Sequence, residues 1–126
     1  AARRGALVTA LDLDPLALSA CELAARRHGL SLTVWCGDAF ADPDALDVEL
    51  VLAADLLYHK SQIEPGLRAL GRWRERGQVI VADGGRPHFD AIDPEKLGLT
   101  LLAELDVPAE RKVEGATERR VRVFTT

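Results

Sequence analysis

The sequence predicts an α/β protein: a parallel sheet with helices packed against it, closed by one antiparallel strand pair. Three observations predict it. Short apolar, β-branched runs alternate with helix-length amphipathic stretches through most of the 126 residues, which is the pattern of βαβ units. Those runs end on carboxylates, Asp12, Asp55 and Asp83, at the strand ends where open α/β sheets place their ligands. After Leu97 the alternation stops, and two strand-like runs follow with no long helix between them, which reads as an antiparallel pair.

The elements follow in order. Ala1-Ala2-Arg3-Arg4-Gly5 reads as the tail of a helix with a glycine cap, and since the chain holds no methionine, a preceding natural segment is expected. Leu7 to Asp12 reads as a buried strand. Asp14-Pro15 starts a helix: the Asp side chain accepts from free backbone amides, and proline at the first position loses no needed donor. Leu16, Ala20, Leu23 and Ala24 are expected on its inner face, with Glu22 and Arg26 paired outside and Gly29 at its end.

Leu32 to Cys36 reads as a second strand, turned by Gly37-Asp38. Val48 to Ala54 reads as a third, ending at Asp55. Ser61-Gln62-Ile63-Glu64 has the spacing of a capping box for the next helix, which places Pro65 in the first turn. Ile63, Leu67, Leu70 and Trp73 line its inner side, and Gly77 stops it. Gln78 to Ala82 reads as a fourth strand, before Asp83-Gly84-Gly85. Pro87 to Leu97 has room for a short helix. Leu99 to Val107 and Arg119 to Thr126 form the closing pair.

Composition bounds the function. The hydrophobic fraction of 48% and charged fraction of 29% are those of a soluble globular domain. No apolar run has the length of a membrane span or a signal peptide. A net charge of -4 argues against a general binder of nucleic acid or anionic membranes. Cys21 and Cys36 show no metal-ligand spacing and read as reduced, packed thiols of a cytoplasmic protein. His28, His59 and His88 do not cluster with cysteines or carboxylates. Arg68, Arg72, Arg74 and Arg76 read as a solvated helix face.

The residues that could carry chemistry are the strand-end acids. Asp also favours caps and turns, so each has a bland alternative. As a set they point to a polar cleft, because a buried carboxylate needs a partner.

The run VTALDLDPLAL resembles the second strand and following helix of class I S-adenosylmethionine-dependent methyltransferases. The resemblance implies a Rossmann-like sheet with a C-terminal antiparallel pair, and S-adenosylmethionine as cofactor. It assigns Asp12 to the ribose hydroxyls, with Asp14 as the helix cap. Gly37 and Asp38 match the family's turn beside the adenine, and Ala54 falls at the strand end lining the cofactor site. Asp55-Leu56-Leu57-Tyr58 resembles the D-x-x-Y signature of the seven-strand group that methylates protein lysines, the electron-transfer flavoprotein β-subunit methyltransferases being the nearest type. There the Asp holds the acceptor amine, so Asp55 and Tyr58 are the expected catalytic residues. Enzymes acting on adenine or glutamine amides carry two prolines where this chain has Leu56 and Leu57, which lowers those acceptors. Arg86, after Asp83-Gly84-Gly85, is a candidate contact for an acidic substrate or a solvated turn residue.

The resemblance runs from the family's second strand to its seventh, within a single partial domain, 1–126. The family's first strand and glycine loop are absent from the sequence. Such a sheet exposes strand edges, so this chain is expected to bind cofactor weakly or fold poorly. The expected function is N-methyl transfer to a protein lysine. A small amine is the alternative acceptor, and a cofactor-free interaction module is the alternative class. A haloacid dehalogenase-type phosphatase would use Asp12-x-Asp14 with Asp83 and Asp90 on magnesium. Against it, Pro15 replaces the small turn residue and the third strand lacks the Ser or Thr. A phospho-receiver domain would need a lysine where Ala82-Asp83 stands.

Overall fold

The computed structural model describes residues 1–45, 47–85, 89, 93–108 and 118–126, the side chains of Glu118 and Arg119 aside. Within these the chain separates into two units, Ala1–Asp42 and Pro43–Thr126.

The N-terminal unit begins with a 3-10 turn, Ala2–Arg4, ended by Gly5 in the left-handed region. Strand β1 (Thr9–Asp12) leads into helix α1 (Pro15–Arg27) and strand β2 (Thr33–Cys36). The two strands pair in parallel, Thr9 opposite Thr33 and Asp12 opposite Cys36. This is one right-sized βαβ unit, and its helix starts as the sequence dictates, with the Asp14 side chain accepting from the Leu16 amide at 2.8 Å. Gly29 reverses the chain at φ 65, a conformation that costs other residues a Cβ clash.

The inner face of α1 differs from the expected one. Leu18 and Ala25, two turns apart, are buried, whereas Leu16 and Leu23 are 77% and 70% exposed and Ala20 and Ala24 are exposed with them. The helix carries apolar residues on two stripes, and periodicity alone does not say which one a two-stranded sheet will cover.

The C-terminal unit opens with a 3-10 turn, Pro43–Ala45, followed by β3 (Leu50–Ala54), α2 (Lys60–Arg76) and β4 (Gln78–Asp83). A second short 3-10 turn, Glu95–Leu97, precedes β5 (Thr100–Pro108) and β6 (Glu118–Thr125). The strand order is β3-β4-β6-β5. β3 and β4 are parallel, and β6 runs antiparallel to both β4 and β5. A register shift between Leu101 and Ala103 marks an irregularity in the last pair.

One face of this sheet is covered. Val79 and Val81 of β4 are fully buried, each worth about 1.5–3 kcal/mol of apolar burial. Ala69, Leu70 and Trp73 of α2, with Ala53, Leu57, Phe89, Leu99 and Phe124, belong to the same core. The alternate residues of β3, Leu50 and Leu52, are 41% and 59% exposed, and Leu105 of β5 is 53% exposed. Among the described residues the long helix of this unit, α2, packs on one face of its sheet.

Helix α2 begins earlier than the Ser61 box implied. His59 is the cap, and its amide donates to Gln62 Oε1 at 3.1 Å. Pro65 consequently lies inside the helix rather than in its first turn, where its missing N–H leaves a gap in the ladder. The α2 arginines are not simply solvated. Arg72 grips Asp44 through two hydrogen bonds, at 3.2 and 3.0 Å, and Arg76 and Arg74 donate to the carbonyls of Asp44 and Leu97. Trp73 Nε1 donates to the Pro43 carbonyl at 3.2 Å. Together these bonds tie both short turns of the unit to α2.

No helix among the described residues is long and apolar enough to cross a membrane. Cys21 and Cys36 are both free and exposed, not packed as expected; the weak Cys36 Sγ contact to the Leu13 carbonyl is 3.7 Å. Short strands on a two-stranded sheet leave too little core to cover them.

Candidate functional site

In the N-terminal unit, β1 ends on Asp12. Its Oδ1 accepts from the Asp14 amide at 2.9 Å, which holds the carboxylate at the strand end. The side chain is exposed, and among the described residues Oδ2 has no partner. A carboxylate has about four acceptor sites, so this one keeps capacity for a hydroxyl pair. Asp14, in contrast, is spent on its own helix.

The neighbouring strand end carries Gly37 and Asp38. The Gly37 amide donates to the Asp12 carbonyl at 3.1 Å, continuing the ladder beyond β2. Asp38 Oδ1 accepts from the Phe40 amide at 2.8 Å, an Asx turn. Hence the structure brings Asp12, Gly37 and Asp38 to one end of one sheet. It also gives Asp38 the local turn role that the sequence left open, while the carboxylate remains exposed.

In the C-terminal unit, β3 ends on Ala54, opposite Ala82 and exposed, and the chain turns sharply at Asp55. Asp55 has φ 50, alone among the described non-glycine residues in the left-handed region. Aspartate visits this region more readily than most residues, at a modest local cost. Two bonds fix it. The Asp55 amide donates to the Ala82 carbonyl at 3.0 Å, and Asp55 Oδ1 accepts from the Gly84 amide at 3.4 Å. Leu57 anchors the loop, 2% exposed, while Tyr58 stands 50% exposed with its ring centroid 4.3 Å from that of His59. The D-x-x-Y spacing thus places an apolar anchor between a half-buried acid and an outward aromatic.

Beside Asp55, the end of β4 holds a feature the sequence did not reveal. Asp83 is 3% exposed, and its Oδ2 accepts from the Gly85 amide at 2.8 Å and from Arg122 at 3.4 Å. The Arg122 guanidinium lies 5.8 Å from the ring centroids of both Phe89 and Phe124. Arg122 reaches Asp83 because β6 pairs with β4 in the register that sets these two residues opposite one another. The alternation of arginine and valine along Arg120–Val123 was the available signal, but it does not specify a register.

Arg86, His88 and Asp90 lie outside the described residues. His28 caps α1, exposed, and His59 caps α2. Among the described residues no group of three or more His, Cys, Asp and Glu side chains is arranged to hold a metal ion.

No protein-family model matches the chain, and no curated protein does. Solved structures do. TehB from Haemophilus influenzae superposes with a TM-score of 0.65 at 10% identity, over 98% of this chain and 50% of its own. The N-methyltransferase NodS from Bradyrhizobium japonicum, in complex with S-adenosyl-L-homocysteine, gives 0.64 at 13% identity, over 95% and 66%. The tRNA (uracil-54, C5)-methyltransferase of Pyrococcus abyssi, also with S-adenosyl-L-homocysteine, gives 0.67 at 11%, over 99% and 30%. The fold is that of these methyltransferases. At such identities the likeness speaks for the fold, and the chain spans 30% to 66% of their length.

Proposed function

We propose that the chain carries the adenosine-binding and acceptor-holding residues of an S-adenosylmethionine-dependent N-methyltransferase, with a protein lysine as the acceptor. The observation that carries the reading is Asp55. It is a carboxylate held in the left-handed region at a strand end by a backbone and a side-chain hydrogen bond, with an exposed tyrosine three residues on.

The residues fit the cofactor's adenosine half. Asp12 keeps an unpartnered carboxylate oxygen for the ribose hydroxyls, and Asp38 with Gly37 forms the exposed turn assigned to adenine. Bound there, the cofactor supplies a sulfonium methyl open to in-line attack by an unprotonated amine. Within the C-terminal unit, the Asp55 carboxylate is the group that would accept a hydrogen bond from a lysine amine, and the exposed Tyr58 ring would lie against its aliphatic stem. Orientation of this kind supplies much of the rate when the chemistry needs no strong base. That NodS is described as an N-methyltransferase supports nitrogen as the acceptor atom. Among the described residues β1 and β3 each keep one edge without a strand partner.

The test has two parts. Calorimetric titration of S-adenosylhomocysteine into the full-length protein should give micromolar binding. Asp55→Ala in the full-length protein should lower methyl transfer to lysine-containing proteins at least about 100-fold and leave the cofactor Kd within about twofold. Lost cofactor binding in that variant overturns the division of roles. No binding by the wild type favours a cofactor-free interaction module instead.

A further inference from the structure

We infer that the Asp83–Arg122 pair is a positioning element for Asp55: it fixes the 83–85 turn, and that turn holds the Gly84 amide against the Asp55 carboxylate. The inference rests on the proposed role of Asp55 for its functional meaning, but its geometry does not depend on that role.

The chain of contacts is short. Asp83 is the one buried charged residue among the described residues, 3% exposed. A carboxylate there is tolerated only with partners. Its Oδ2 accepts from the Gly85 amide at 2.8 Å and from the Arg122 guanidinium at 3.4 Å. Arg122 is 24% exposed, and its planar group lies 5.8 Å from the centroids of Phe89 and Phe124, both buried. The two rings and the Asp83 carboxylate help to set its orientation.

The bond from Gly85 curls the backbone over Asp83, and Gly85 itself takes φ 77. This leaves the Gly84 amide directed at Asp55 Oδ1, 3.4 Å away. On the other side, the Asp55 amide is bonded to the Ala82 carbonyl. Asp55 is thus held by residues 82 and 84, on either side of Asp83. A bond at 3.4 Å lies near the limit of useful geometry, so a small movement of the turn breaks it. The pair has no need to touch an acceptor amine to act: it sets which way the Asp55 carboxylate faces.

The experiment is a double-mutant cycle read on the Gly84 amide by 15N–1H spectroscopy. Asp55→Ala removes the acceptor and should shift the Gly84 resonance by several linewidths. Arg122→Met keeps an apolar stem against the two phenyl rings and removes the guanidinium. In that background Asp55→Ala should move Gly84 far less. Should the buried Asp83 charge without its counter-ion unfold the protein, Asp83→Asn with Arg122→Met removes both charges together, and the same loss of coupling is expected there. Arg122→Lys should recover most of it.

For methyl transfer, Arg122→Met should lower kcat about tenfold or more, while the acceptor KM and the S-adenosylhomocysteine Kd stay within about twofold. An undiminished effect of Asp55→Ala on Gly84 without the pair overturns the inference. So does an unchanged kcat in Arg122→Met beside a strongly impaired Asp55→Ala, since the pair would then support stability alone. Failure of the parent reading shows separately, as no cofactor binding and an inert Asp55→Ala, and it removes the catalytic meaning whatever Gly84 reports.

Discussion

The two units bury apolar side chains very unequally. Among the described residues, ten of the twelve buried hydrophobic ones belong to the C-terminal unit, and the N-terminal unit has Leu18 and Ala25 alone. The first unit nevertheless carries four large leucines in the open, Leu7, Leu13, Leu16 and Leu23, all more than 60% exposed. One βαβ unit on a two-stranded sheet lacks the area to stabilise itself, whereas four strands with a 17-residue helix form a closed core. The proposed acceptor residue therefore stands on a stiff frame and the proposed ribose residue on a thin one. The amides of β4 should accordingly exchange with solvent far more slowly than those of β1. Equal protection of the two strands would break the comparison.

The largest expected effect lies at the centre of the stiff unit. Trp73 is 3% exposed and also donates its indole N–H to the Pro43 carbonyl. Trp73→Ala removes both the packing and that bond, and should lower stability by about 3–5 kcal/mol in a urea melt followed by hydrogen exchange of β4. A loss under about 1 kcal/mol would mean that the core collapses to refill the site, and that the frame is softer than its burial implies.

A smaller effect is expected where α2 meets β4. Gly77 is extended, at φ -169, so its backbone is open to any residue. What it lacks is room: a Cβ there would stand 2.6 Å from the Glu49 carbonyl oxygen and 3.0 Å from that of Val48. Those are backbone atoms at the entrance to β3 and cannot swing aside. Gly77→Ala should cost about 1–3 kcal/mol, measured by the same melt, and its effect should fall on the pairing of β3 with β4.

Much of this architecture was legible in the sequence. Every strand and both long helices lie where apolar runs and the Asp14-Pro15 and Gly29 signals put them, with ends shifted by a residue or two. The site was legible in part. Strand-end acids could be read because strands end abruptly on Asp12, Asp55 and Asp83, and local caps such as Asp14 because their partners are two residues away. What escaped is whatever depends on long-range register. Arg122 meets Asp83 across 39 residues, and nothing local in Arg120–Phe124 says which side chain will oppose it. The arginines of α2 looked solvated for the same reason, since Asp44 and Leu97 reach them only after the chain has folded back. The inner stripe of α1 escaped for a different reason: the helix has two apolar stripes and the unit only two strands to cover them.

The smallest effect sharpens the same contrast at the surface of the stiff unit. The two hydrogen bonds from Arg72, its charge and that of Arg76 hold the Asp44 carboxyl below its ordinary carboxylate range. A depressed value in the folded state means that the stabilisation is present above the unfolded carboxylate's pKa and is lost as pH falls through the lower folded one. Asp44→Asn should therefore be less stable than the wild type at neutral pH, and the two should converge in acid, below the range where free carboxylates protonate. Both partners are solvent-exposed, so the neutral-pH difference should be slight and should shrink with added salt. Urea midpoints of the two proteins, taken across pH at low and high ionic strength, measure it. A gap that persists unchanged into acid would show that Asp44 acts through the carbonyl it offers Arg76 and the shape of its turn, not through its charge.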